Sequence, residues 1–155
     1  MRLPSPALPL RAAAVCLAAA LGCDSPLGPD DVSGTYTLER IAGDPLPAVT
    51  FENESVVVRV LADTLRLDGG GGGTAVSVRA IVVKSSGVGH GPARVTSELR
   101  YRVVGGRVEV HYVCPPNALC AAGPHLIARR TADGLVVDQA LEERAPQRYV
   151  RVSGR

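Results

Sequence analysis

The sequence predicts an all-β domain, a small antiparallel up-and-down barrel of about eight strands. Short runs rich in β-branched residues recur between clusters of Gly, Pro and Asp. No segment keeps the 3.6-residue period of a helix over a dozen residues. A barrel removes the exposed edges of the sheet, while a sandwich remains the alternative. The domain is expected over residues 34–155.

Eight segments have the pattern of strands. In chain order they read TYTLERI, SVVVRVLADTLRL, TAVSVRAIVVK, ARVTSELRYRVV, RVEVHYV, HLIARR, LVVDQALEE and QRYVRV. The glycines at 69–73 are interpreted as a flexible connection, because no lysine follows them as a phosphate-binding loop requires. The segment at 85–93 is also interpreted as a loop, with His90 in solvent. TADG at 131–134 indicates a turn.

The best-defined element is the hairpin SELRYRVVGGRVEVHYV. If Gly105 and Gly106 form a two-residue turn, the register of both strands follows. The apolar face then pairs Leu99 with Tyr112, Tyr101 with Val110 and Val103 with Val108, and the polar face pairs Arg100 with His111 and Arg102 with Glu109. A slip of one residue would mix the two faces, so the pattern predicts a single register.

Residues 1–22 have the layout of a cleavable export signal. Arg2 and Arg11 precede an apolar run from Ala12 to Leu21, which ends at Gly22 and Cys23. A helix over that run would be roughly 15 Å long, about half the hydrocarbon core of a bilayer. A permanent transmembrane span is therefore not expected.

Ala20, Leu21, Gly22 and Cys23 resemble the lipobox of bacterial lipoproteins, in which the chain is cut before a cysteine that carries a diacylglyceryl group. The resemblance implies lipidation at Cys23, acyl chains such as palmitate, and attachment to a membrane of the cell envelope, facing the periplasm or the exterior. Plain secretion and an uncleaved anchor are the alternatives. Residues 23–33 would then be the lipidated cysteine and a flexible tether.

Three further stretches, GTYTLERIAGDPLP, YRVVGGRVEV and RYVRV, resemble parts of small lipocalin-like and META-like β-barrel domains of envelope lipoproteins. This resemblance covers roughly residues 33–152. It implies a barrel, and for a lipocalin a ligand cavity. Tyr36 stands where a lipocalin usually has Trp.

Charge and composition exclude several functions. Without Arg2 and Arg11 the chain keeps 15 of its 17 basic residues against 15 acidic ones, and a nucleic-acid partner is not expected. No Trp and a single Phe argue against a large aromatic-lined pocket. Neither a Gly-x-Ser-x-Gly nor a His-Glu-x-x-His motif occurs, so no enzyme activity and no cofactor is expected.

Cys114 and Cys120 flank a short Pro-Asn turn in VCPPNALC. In an oxidising envelope this spacing predicts a disulfide bond. Two free thiols are one alternative. A zinc site that adds His111 and His125 is the other, although the spacing matches no common zinc module, and no metal is expected.

Two functions remain open for the domain. One is the binding of a small apolar ligand by the residues expected to line the barrel, which are Leu99, Tyr101, Val103, Val108, Val110 and Tyr112. The other is a structural or protein-interaction module with a filled core and a partner in the envelope. A barrel of about eight strands fits either function. Short aliphatic side chains favour a cavity, while the expected absence of inward polar groups argues against specific recognition.

Overall fold

The computed structural model describes residues 28–87, 89–119, 123–140 and 145–152, which form ten β-strands and one helical turn. The turn is α1 (Pro29–Val32), and the strands are β1 (Gly34–Ile41), β2 (Asp44–Pro45), β3 (Ala48–Glu52), β4 (Val56–Leu67), β5 (Gly72–Val83), β6 (Gly89–Val104), β7 (Arg107–Tyr112), β8 (Leu126–Arg130), β9 (Gly134–Ala140) and β10 (Gln147–Val152). No helix within these ranges is long and apolar enough to cross a membrane.

Eight of the strands form a closed antiparallel barrel. From β4 to β10 each strand pairs with the next, and β10 pairs with β1. The ring closes where residues 34–37 of β1 pair with residues 64–67 of β4. The predicted up-and-down barrel is therefore confirmed, and each of its strands overlaps one of the predicted segments. The short strands β2 and β3 are additional, and they pair with the parts of β1 and β4 that have separated from each other.

The β6–β7 hairpin has the predicted register in every pair. Gly105 and Gly106 have φ values of 56° and 76°, the left-handed conformation that a two-residue turn of this kind requires. The TADG turn is also present, because the Thr131 N–H donates to the Gly134 carbonyl at 2.9 Å between β8 and β9. Local pattern alone was sufficient to place both turns.

The barrel interior is filled by its own side chains. The buried apolar residues are Val32, Tyr36, Leu38, Ile41, Ala48, Val60, Leu65, Leu67, Ala75, Leu99, Tyr101, Val108, Val110, Leu126, Ala128, Leu135, Val137 and Tyr149. Among the residues that the structure describes, this core extends from Val32 to Tyr149. Burial of this aliphatic surface is the main force that stabilises the fold.

The helical turn α1 closes one end of the barrel. We call this the closed end; it carries the β4–β5, β6–β7 and β8–β9 turns, and the opposite end is the open end. The side chain of Val32 is fully buried, and the Tyr36 hydroxyl donates to its carbonyl at 2.7 Å. The Tyr101 hydroxyl donates to the Pro29 carbonyl at 2.9 Å and also contacts the Asp68 carbonyl. Residues 28–33, expected in the tether, are thus part of the folded domain.

The glycine run differs from the flexible connection that was expected. The Asp68 carboxylate accepts hydrogen bonds from the N–H groups of Gly70 and Gly72 at 2.9 and 2.8 Å, which makes residues 68–71 a hydrogen-bonded turn. Gly72 and Gly73 already belong to β5. His90 also differs from its prediction, because it lies in strand β6 opposite Ile81, although its side chain is exposed as expected.

Candidate functional site

A small cavity lies at the open end of the barrel. Its lining residues are Leu38, Val60, Asp63, Arg79, Tyr112, His125, Leu126, Ala140, Gln147 and Tyr149. The volume is about 40 Å³, room for about three water molecules. Pockets that enclose a whole small-molecule ligand are about 300–1,000 Å³. The cavity can therefore hold a few small atoms or waters, but it cannot enclose a drug-sized ligand.

Polar side chains form one wall of this cavity. Asp63 and Gln147 are buried, with 8% and 5% of their surface exposed. The Tyr149 hydroxyl donates to Asp63 Oδ1 at 3.0 Å, and it lies 3.4 Å from Gln147 Oε1. Arg79 Nε donates to Ser77 Oγ at 3.1 Å, and the Ser77 side chain is itself hydrogen-bonded to Asp63. These contacts form a network of hydrogen bonds at the open end.

Burial raises the pKa of the Asp63 carboxyl above its usual value. The hydrogen bonds with Tyr149 and Ser77 and the positive charge of Arg79 act in the opposite direction, and burial prevails. A buried carboxyl with a raised pKa beside a cavity is a common feature of functional sites. Buried structural networks also raise the pKa of a carboxyl, so the raised pKa of Asp63 does not by itself identify a functional site.

The sequence contained a signal for this wall. Leu67 and Leu65 alternate with Asp63 along β4, so all three face inward, and Gln147 shares the inward face of β10 with Tyr149. The expectation of no inward polar groups is therefore wrong. Strand alternation places these polar side chains inside the barrel.

His125 completes the rim of the cavity. Its Nδ1 accepts a hydrogen bond from the Tyr112 N–H at 3.2 Å, and the two rings lie 5.0 Å apart. A ring nitrogen that accepts a hydrogen bond carries no proton, so in the neutral ring the proton lies on Nε2. No residue in the described ranges accepts a hydrogen bond from Nε2, so His125 offers one donor at the cavity.

An exposed apolar row leads out of the cavity. β3 and the adjoining parts of β4, β5 and β6 extend beyond the other strands, and we call this extension the arm. Phe51 pairs with Val58, and Val58 pairs with Ile81, directly beside the cavity residues Val60 and Arg79. Phe51 and Ile81 are 53% and 40% exposed. Larger contiguous apolar patches on folded domains often mark interaction sites.

A wider depression lies on the outer wall of the barrel. Its volume is about 480 Å³, and its charged lining residues are Arg66, Asp68, Glu98 and Arg100. The arginine and glutamate side chains there are exposed, so both signs of charge are already solvated. This depression offers a ligand no buried polar group.

The residues predicted to line a ligand cavity separate into two groups. Leu99, Tyr101, Val108 and Val110 are buried in the core, while Val103 and Tyr112 pack against it. Tyr112 is the member of this set that lines the open-end cavity. The interior position of the predicted face is as expected, but most of that face touches other side chains and leaves no space for a ligand.

The cysteine predictions lie partly outside the described ranges, which contain neither Cys23 nor Cys120. Cys114 lies in the loop after β7, with Sγ 3.2 Å from the Ala118 carbonyl oxygen. The disulfide bond therefore stays a prediction. Within the described ranges no three His, Cys, Asp or Glu side chains form a metal-binding group. Comparisons of the chain with protein-family models, with curated proteins and with solved structures found no match.

Proposed function

We propose that the chain is a lipid-anchored protein of the bacterial cell envelope, with a non-catalytic barrel that presents its open end to a partner or ligand. The lipobox-like residues at 20–23 support the anchor. The observation that carries the rest is the position of α1, which brings the chain into the barrel at the closed end. The affiliation with small lipocalin-like or META-like domains is part of this proposal, supported by the barrel topology.

The position of α1 gives the domain an orientation. Chain from Asp24 to Gly28 can span at most about 17 Å, even when fully extended. If Cys23 is acylated, the closed end is therefore held near the membrane surface. The open end, with its cavity and arm, then points away from the membrane and is accessible in the envelope.

The filled interior favours a module that acts at its surface over a barrel that encloses an apolar ligand. Val108 and Val110, which an enclosed ligand would touch, are buried against other core side chains. The space that remains at the open end is bounded by Asp63, Arg79 and Gln147. Binding at the open end is therefore the better supported form of the ligand hypothesis.

A Cys114–Cys120 disulfide bond belongs to the same proposal. It would fix the loop that leads from β7 toward the open end, and by loop-closure entropy it contributes on the order of 2 kcal/mol. Alkylation of the exported protein without reductant, followed by mass spectrometry, tests it. Modification of Cys114 and Cys120 would contradict the bond, and protection of both until reduction would support it.

The anchor is tested in a bacterial host with the full chain and two variants. In Cys23→Ser the acylation site is lost, while Cys16→Ser is the matched control because it alters a cysteine inside the signal. We expect wild type and Cys16→Ser to enter the detergent phase and to carry a diacylglyceryl mass, and Cys23→Ser to lose both properties. A wild-type protein without acyl mass, or a Cys23→Ser variant that stays lipidated, would overturn the anchor.

A further inference from the structure

We infer that the closed end of the barrel rests directly on the bilayer that holds the acylated Cys23 and contacts its phospholipid headgroups. The contact is made by two exposed valines and two exposed arginines, which we call the closed-end surface: Val104, Arg107, Arg130 and Val152. This inference rests on the proposed function, because it gives the anchored domain a second, non-covalent contact with the same membrane.

The tip of the β6–β7 hairpin extends the closed end. Tyr101 of β6 holds α1 through the Pro29 carbonyl. The strand then continues to Val104, about 10 Å further along. Val104 is 48% exposed, and the two glycines that follow it add no side chain to cover it. The barrel therefore presents an apolar side chain at its tip, on the end where the chain from Cys23 enters.

A second exposed valine lies at the same end, on the opposite side of the barrel. Val152 ends β10, pairs with Thr35 and is 51% exposed. Three strands separate β6 from β10 in either direction around the ring. One exposed valine is common on any protein surface. A flat surface can touch both Val104 and Val152 at once, whereas a small ligand cannot span the end of the barrel, and this favours a bilayer as the occupant.

Two arginines lie between the valines along the ring. Arg107 begins β7 and Arg130 ends β8, and both side chains are exposed. In the part of the chain that the structure describes, neither side chain makes a hydrogen bond or an ion pair. The carboxylates described at this end accept hydrogen bonds from other groups; they are Asp31, Asp68 and Asp133. A guanidinium group binds phosphate oxygens well, so both arginines are available to lipid phosphates.

The short chain to Cys23 makes a weak contact sufficient. Gly28 is already hydrogen-bonded to Asp31 of α1 at this end. The chain from Asp24 to Gly28 spans at most about 17 Å. An acylated Cys23 therefore keeps the closed-end surface at a high effective concentration of headgroups, and a contact too weak to bind a free protein becomes populated.

The test uses the absence of Trp from the sequence, because one introduced Trp then reports a single position. Val104→Trp places it at the closed end. The matched control is Val95→Trp, at a residue of the same strand that is 52% exposed and lies about 30 Å away on the arm. Circular dichroism checks that both variants fold as the wild type does.

The full chain, acylated by a bacterial host, is reconstituted into vesicles of phosphatidylcholine and phosphatidylglycerol with brominated acyl chains. Bromine quenches Trp fluorescence at short range. We expect at least about twofold stronger quenching in Val104→Trp than in Val95→Trp, since an interfacial side chain lies about 5–10 Å into the boundary between headgroups and acyl chains. Equal quenching of the two variants would overturn the inference.

The arginines are tested in the Val104→Trp protein. Replacing both, in Arg107→Gln with Arg130→Gln, should lower the equilibrium constant of the contact by about tenfold and reduce the quenching. Arg94→Gln is the control, because Arg94 is exposed on the arm and, among the described residues, its side chain also lacks a hydrogen bond or an ion pair. Unchanged quenching in the double variant, or an equal loss in Arg94→Gln, would contradict the contact.

The intact mass of the reconstituted protein separates this inference from the anchor. A diacylglyceryl mass with equal quenching of Val104→Trp and Val95→Trp leaves the anchor in place and removes the contact. Absence of that mass removes the anchor and, with it, the contact that depends on it. Weak quenching of Val104→Trp, with an emission maximum that shifts as the protein-to-lipid ratio rises, would assign the surface to a second copy of the chain and overturn the inference.

Discussion

At the closed end of the barrel, apolar side chains fill the interior and tyrosine hydroxyls donate to backbone carbonyls. The open end instead keeps a polar cavity beside exposed apolar side chains. Tyr36 and Tyr101 both direct their hydroxyls to carbonyls of α1, so little unfilled surface remains there. Tyr149, from the same inward set, instead hydrogen-bonds to Asp63 at the cavity. One continuous sheet thus has one end closed by packed side chains and another end that keeps a cavity.

The largest expected effect tests whether the packed side chains toward the closed end stabilise the fold. Leu65→Ala removes a side chain that is 1% exposed, and it should lower the free energy of unfolding by about 2–5 kcal/mol through lost burial and a cavity. Urea unfolding measures the change. Leu119→Ala, at a fully exposed residue near the open end, should change stability by less than about 0.5 kcal/mol. Similar losses in both variants would break the comparison.

A glycine pair tests how closely the backbone is packed at the two ends. A Cβ added to Gly73 in Gly73→Ala would lie 2.1 Å from the Arg66 carbonyl oxygen, and the forced shift should cost about 1–3 kcal/mol. Gly91→Ala on the arm has no atom within 4 Å of the new Cβ. It should be neutral or slightly stabilising, because alanine restricts the unfolded chain. Thermal unfolding of both variants compares them, and a neutral Gly73→Ala would show that the closed end can relax.

The smallest expected effect is a pH dependence at the open end. Because burial raises the pKa of Asp63, the folded protein keeps a proton there after the unfolded chain has released it. The Asp63 contribution to stability is therefore fully present below pH 3.8 and is lost as the pH rises through the raised value. Urea unfolding from acidic to neutral pH should show wild type losing stability relative to Asp63→Asn.

The control for that titration is Asp44→Asn, which removes one carboxyl from the exposed strand β2. Its difference from wild type should not follow the change expected for Asp63. A constant difference between wild type and Asp63→Asn over the same range would show that the folded protein does not perturb this carboxyl.

The strands were predictable because each has a local pattern. The hairpin from Leu99 to Tyr112 could be registered without a structure, since both of its faces agree with one pairing. The alternation that predicts Leu65 and Leu67 as inward also places Asp63 inward, so the polar wall was accessible in principle.

The arm could not be predicted, because it depends on where β1 and β4 separate. That separation allows β2 and β3 to pair at the open end and leaves Phe51 on an exposed inner face. No local pattern around Phe51 shows whether its face lies inside or beyond the barrel.

The sequence by itself determined the number and order of the barrel strands, the tight turns and the register of one hairpin, because these follow from side-chain period and turn chemistry between near neighbours. Only the tertiary structure decided that the interior is filled, that α1 occupies the closed end, and that Asp63, Arg79, His125 and Tyr149 meet at one cavity. These features depend on how distant strands close on one another and on the volume that remains between them, and no local pattern encodes that volume.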